Sequence, residues 1–147
     1  MNPRFSDEQL DAAISYVVVH GAMDRAKTIH YSYVFVAAGL EPPQDLHRGG
    51  EGDLVTRFME ALHFRCIDRG LPPLDSLVVN VAGPREDKPG SGYFTVNGVG
   101  DPFSGTGREE DAIQGLGLWE RQMSEVKAWG VLRRRAGDWS SEGQGDS

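Results

Sequence analysis

Leu10, Ala13, Ile14, Val17 and Val18 recur at the three- and four-residue spacing of one helical face. Ser6-Asp7-Glu8-Gln9 stands before them as a capping box, in which the Ser hydroxyl and the Gln side chain satisfy free amides at a helix start. A first helix is therefore expected, with Gly21 as its terminator. Thr28–Gly39 mixes β-branched and aromatic residues with an Ala-Ala-Gly ending. Tyr31, Val34, Phe35 and Ala38 share one stripe, which predicts a short helix entered through an extended Thr28–His30, although residues 28–39 also fit a strand. After the Pro- and Gly-rich loop from Glu41 to Gly52, Asp53 is the expected N-cap of a third helix. Leu54, Val55, Phe58, Met59, Leu62 and Cys66 lie on one side of it, with Arg57, Glu60 and Asp68 on the other. Gly70 and Pro72-Pro73 end it, because proline can neither donate to the helical ladder nor leave its predecessor helical.

The next stretch, Leu71–Phe94, changes period. Ser76–Asn80 (SLVVN) is a continuous apolar run that predicts a strand covered on both faces. Ala82–Gly92 supplies turn residues, and Tyr93–Val96 returns as a second strand before Asn97-Gly98, which together outline a β-hairpin. Thr106-Gly107-Arg108-Glu109 is a second capping box. It opens a helical region in which Leu116, Trp119, Met123 and Val126 step by three and four, while Gly115 and Gly117 predict either one kinked helix or two. Residues 1–136 read as a single domain and 137–147 as a disordered polar tail. The order helix, helix, helix, hairpin, helix predicts an α+β fold laid out like a winged helix. The Gly39–Asp53 connection is long for the tight turn of a helix-turn-helix.

Composition narrows the partners. The 147 residues carry 15 Lys and Arg against 22 Asp and Glu, a net charge of −7. Affinity for nucleic acid comes mainly from cations neutralising phosphate, so this balance disfavours a generic polyanion binder. The single cysteine, Cys66, excludes an internal disulfide framework and fits a reducing compartment. The first twenty residues contain only the short apolar run Tyr16–Val19, preceded by acidic residues, so neither a signal peptide nor a membrane span is expected. A cytoplasmic protein is the expectation.

Gly70-Leu71-Pro72-Pro73-Leu74, Leu77-Val78-Val79-Asn80, Gly90-Ser91-Gly92-Tyr93 and the later Leu118-Trp119 to Val126 helix resemble a family of small uncharacterised proteins of bacteria and their phages. The resemblance covers roughly Tyr31 to Trp129 and implies a shared fold and a bacterial or mobile-element setting, without any catalytic residue. A second likeness is architectural. Tyr31, Arg57, Leu71-Pro72, Val78-Val79 and Gly92-Tyr93 stand in the order that resembles the DNA-binding domain of alkylguanine DNA alkyltransferases and alkyltransferase-like proteins. The reactive Pro-Cys-His-Arg of that enzyme falls on Leu74-Asp75-Ser76-Leu77, so the alkyl-accepting thiolate is missing. What this likeness implies is a DNA-binding shape with Arg57 as a wedge in the base stack.

The remaining candidates read as follows. Cys66, on the apolar side of its helix, is expected to be a core residue with an inert thiol. His20, His30, His47 and His63 have no metal-ligand spacing, so no metal is expected. His63 with Glu60, three residues apart on a helix, reads as a solvated surface pair rather than an acid–base couple. The glycines between Gly98 and Gly107 lack the Gly-Lys-Ser/Thr of a phosphate-binding loop and read as a connector. No catalytic residue and no cofactor is expected. Phosphate contacts, if nucleic acid is bound, fall to Arg48, Arg57, Arg85 and Lys88, which stand among carboxylates. Tyr93 and Phe94 would alternate across a strand, one inward and one free to anchor a partner, with Arg133, Arg134 and Arg135 as further contacts.

Two functions follow as expectations. The first is a non-catalytic acidic interaction protein of bacterial or phage origin, an inhibitor or accessory factor that binds a protein partner, with a basic nucleic-acid-binding surface as its target. The alternative is a winged-helix-like binder of duplex DNA using Arg57 on its third helix. Net charge favours the first.

Overall fold

The computed structural model describes residues 5–41, 49–80, 85–103 and 109–137. The second capping box, Arg48, His47 and the tail beyond residue 137 lie outside the described residues, as does the tip of the expected turn at residues 81–84.

Helix α1 (Asp7–Val17) begins as its sequence requires. The Gln9 amide donates to Ser6 Oγ at 3.1 Å, and the Ser6 amide donates to Gln9 Oε1 at 3.0 Å. Its chain continues through a wider π-helical turn, Val18–Ala22, so Gly21 does not terminate the helix. Gly21 is instead packed: a Cβ there would lie 3.0 Å from the side chains of Ile29 and Leu77 and from the Lys27 carbonyl. Strand β1 (Ile29–His30) leads directly into α2 (Tyr31–Ala37), which buries Tyr31, Val34 and Phe35, with Ala38 just beyond. The expected stripe and its extended entry are both present. Gly39 has a positive φ of 82° and closes α2, letting the Leu40 amide reach back to the Phe35 carbonyl at 2.9 Å. A left-handed residue at this place satisfies a carbonyl that the ending helix leaves free.

Helix α3 (Gly49–Asp68) starts four residues ahead of Asp53, so Asp53 lies within the helix rather than capping it. Phe58, Leu62 and Cys66 are buried on its inner side. Phe58 anchors the core aromatics, its ring centroid 4.6 Å from Phe35 and 5.2 Å from Phe5. A salt-bridged clamp ties α3 to α1. Arg65 donates through Nε and Nη2 to the two Asp11 oxygens, each at 2.9 Å, and Arg69 adds Nη1 at 3.0 Å.

The expected hairpin is not formed. Leu74–Leu77 is a 3-10 turn, and only Val78–Val79 (β2) is extended. β2 pairs in parallel with β1, Ile29 beside Val78 and His30 beside Val79. Val78 and Val79 are buried, as a strand covered on both faces should be. Ser91–Val96, expected to return as a strand, is the short helix α4. The reason is packing. A strand would turn Tyr93 and Phe94 to opposite sides and expose one of them, whereas a helical turn sends both inward, between α3 and the Phe103–Trp119 aromatic pair. The fold is α+β in the broad sense, mostly helical with a two-stranded parallel sheet. The wing of a winged helix is not formed among the described residues.

Helix α5 (Glu109–Ala136) is one continuous helix of 28 residues. At a rise of roughly 1.5 Å per residue it is about 42 Å long. The glycines in its middle do not divide it into two. Gly115 and Gly130 allow close approach instead, since a Cβ would fall 2.4 Å from the Gly100 carbonyl oxygen and 1.9 Å from that of Ala22, respectively. No helix among the described residues is long and apolar enough to cross a membrane.

Candidate functional site

The proline pair after α3 forces the chain out of the helix and into the tight turn Leu74–Leu77, all four residues of which are buried. This places a carboxylate inside the molecule. Asp75 is 2% exposed, and its Oδ2 meets Nδ1 of His63 at 3.0 Å. His63 is itself buried, on the edge of α3 between Met59 and Cys66 in the helical repeat. The expected solvated pairing with Glu60 is thus corrected: His63 belongs to the interior and its partner is Asp75. The hydrogen bond to Asp75 raises the His63 pKa, burial opposes the rise, and the charges of Asp75 and Glu60 add to it.

Two polar atoms of this turn, Asp75 Oδ1 and Ser76 Oγ, are buried with no hydrogen-bond partner among the described residues. The Ser76 carbonyl is satisfied by Trp119, whose indole Nε1–H donates to it at 2.9 Å. Beside Asp75 lies a cavity of about 40 Å³, enough for about three waters. Val55, Thr56 and Met59 of α3 wall one side, and Tyr93 and Val96 of α4 the other, with Asn80 at the end of β2. Tyr93 donates its hydroxyl to Gln122 Oε1 at 2.5 Å, and Gln122 Nε2 donates to Asn97 Oδ1 at 3.0 Å, which fixes α4 against α5. Burial pushes the Tyr93 phenol pKa up, and the Asp75 charge adds to the rise.

Chemically, a His–Asp couple can activate a nucleophile that stands beside it and is open to substrate. The adjoining hydroxyl and thiol, Ser76 and Cys66, are fully enclosed, and burial drives the Cys66 pKa up, away from the reactive thiolate. The couple joins α3 to the 74–77 turn. Among the described residues, no group of three or more His, Cys, Asp and Glu is arranged to hold a metal ion.

The residues singled out from sequence are dispersed. Arg57 is exposed on the outer face of α3. Arg85 is committed to Asp101 through Nη2, and its Nη1 donates to the Pro89 carbonyl at 3.2 Å. Lys88 lies over the Phe103 ring, 5.6 Å from its centroid. Tyr93 and Phe94 are both buried, so neither is a surface anchor. Arg133 covers the Trp129 ring at 5.1 Å, while Arg134 and Arg135 are exposed at the end of α5.

Two features escaped the sequence reading. The burial of His63 was signalled by its place beside Met59 and Cys66 in the repeat, but nothing in the sequence pointed to Asp75 as its partner. The second is the outer face of α3, where Phe64 and Ile67 are 51% and 58% exposed, one turn apart and bordered by Glu60 and Asp68. Compared with protein-family models, curated proteins and solved structures, the chain matches none.

Proposed function

We propose that this chain is a non-catalytic acidic interaction protein, of the inhibitor or accessory type, that docks on a macromolecular partner through the outer face of α3. The supporting observation is the pair Phe64 and Ile67, large apolar side chains exposed on one helical face. An apolar centre with a charged rim is the usual anatomy of a protein-binding patch. Here the rim holds Glu60 and Asp68 as well as Arg57, and the whole chain carries −7. Such a face suits a partner with an apolar cleft bordered by Lys and Arg, as nucleic-acid-binding surfaces are.

Duplex DNA is the less favoured ligand. A recognition helix presents cations toward phosphate and base edges, whereas on α3 Arg57 shares its face with two carboxylates, and Arg85 and Lys88 are engaged elsewhere.

The test compares affinity capture from bacterial lysate by the native chain and by Phe64→Asp/Ile67→Asp, alongside anisotropy with labelled duplex DNA at low salt. The proposal expects a specific partner with a basic surface that is retained by the native chain and lost with the double variant. Identical capture by both proteins, or DNA binding that Arg57→Ala weakens, would overturn it.

A further inference from the structure

Independently of the α3 face, helix α5 carries a pattern that points to a second copy of the same chain. Its inner side, with Gly115, Trp119, Val126 and Gly130, rests on the body of the molecule. On the opposite side Ile113, Glu120, Ser124, Lys127, Val131 and Arg135 are exposed. At about 3.6 residues per turn, Ile113 and Val131 are separated by whole turns and point the same way, and the polar residues between them fall close to that line. The helix is also polarised: Glu109, Glu110 and Asp111 open it, and Arg133, Arg134 and Arg135 close it.

Laid antiparallel on a copy of itself, this stripe is self-complementary. With the two-fold axis at the level of Gln122, Ile113 of one copy meets Val131 of the other. Glu109 then stands level with Arg135 and Glu110 with Arg134, offsets that these long side chains can span, and Glu120 stands level with Ser124. A parallel arrangement would stack Glu109 on Glu109 and Arg135 on Arg135, with like charges opposed. Among the described residues, Glu109, Glu110, Arg134 and Arg135 make no ion pair within their own chain.

We propose that α5 is a self-association surface through which two copies of this chain pair antiparallel, in the symmetric isologous manner of two-fold dimers. The apolar contribution is confined to Ile113 and Val131, so charge pairing supplies much of the contact and the dimer responds to salt.

The experiment is sedimentation equilibrium on the full chain and on two charge-reversed variants, Glu109→Arg/Glu110→Arg and Arg134→Glu/Arg135→Glu. The native chain is expected to dimerise at low salt, with its dissociation constant rising tenfold or more between about 0.05 and about 0.5 M NaCl. Each variant alone is expected to be monomeric, and an equimolar mixture of the two to dimerise again, since each copy then supplies the sign that the other lacks. A variant that was merely unfolded would not be rescued by mixing, and circular dichroism of each variant checks its helix content. A native chain that stays monomeric at low salt, a dimer indifferent to both reversals, or a mixture that stays monomeric would each overturn the proposal.

Discussion

His63 and Asp75 are joined by a 3.0 Å hydrogen bond inside the molecule, binding the middle of α3 to the turn that follows it twelve residues later. The bond favours the protonated imidazole, so the folded chain holds that proton more tightly than the unfolded one. The stability this provides is complete below the unfolded histidine pKa of about 6.5 and is lost as pH rises through the higher folded value. Urea midpoints should therefore fall as pH rises above about 6.5. In Asp75→Asn the fall should flatten and the His63 titration, followed by NMR, should move to lower pH. Asp75→Ala should cost about 3 kcal/mol, because it strands a buried polar partner. Parallel pH profiles for the native chain and Asp75→Asn would dissociate the couple from stability.

The clamp between Asp11 and Arg65 works at the opposite end of the pH scale. Burial alone would raise the Asp11 pKa, but the hydrogen bonds and charges of Arg65 and Arg69 outweigh it and hold the carboxyl below 3.8. Its contribution is present above that value and is lost as pH falls through the depressed folded pKa. Asp11→Asn should cost about 1.5 kcal/mol at neutral pH. The difference from the native chain should shrink as acid protonates the carboxyl, as read from denaturant curves at about pH 7 and about pH 3.

Glycines on α5 should respond in opposite directions to the same substitution. Gly130→Ala would drive a methyl group into the Ala22 carbonyl, and backbone cannot rotate away as a side chain can. A loss of about 2–3 kcal/mol is expected, despite the better helix propensity of alanine. At Gly117 the nearest atom to a new Cβ is the end of the Arg121 side chain, 3.4 Å away. Gly117→Ala should therefore stabilise by about 0.5–1 kcal/mol. Thermal melts of the two variants provide the comparison.

Cys66 should be silent toward thiol reagents in the folded state. Its side chain is enclosed, burial and the Asp75 charge push its pKa up, and reaction requires the thiolate. Labelling by a disulfide reagent should follow the unfolding transition as urea is raised, and rapid labelling of the native chain would show that α3 opens locally.

What the sequence made legible was what depends on local chemistry. The Ser6 capping box, the Tyr31–Ala38 stripe and the inner face of α3 all follow from spacing, because each element's own period decides which residues are buried. Tyr93 and Phe94 misled, since their strand propensity was outweighed by the gain from burying both rings in a helical turn, which depends on α3 and α5 being nearby. The pairing of Ile29–His30 with Val78–Val79 was hidden for a related reason, as a parallel ladder joins segments far apart in the chain and leaves no turn signal between them. Asp75 read as the cysteine position of a lost chemistry, and its burial became visible only once the 74–77 turn was placed beneath α3.

The contact of Gly130 with the Ala22 carbonyl joins positions roughly a hundred residues apart. During synthesis at about 5–20 residues per second, the π-helical turn at Val18–Ala22 stays uncovered for many seconds while the nascent chain lengthens. The interior can close there only when the half of α5 that carries Gly130 has left the ribosome, so this contact forms after the segments between the two have already emerged.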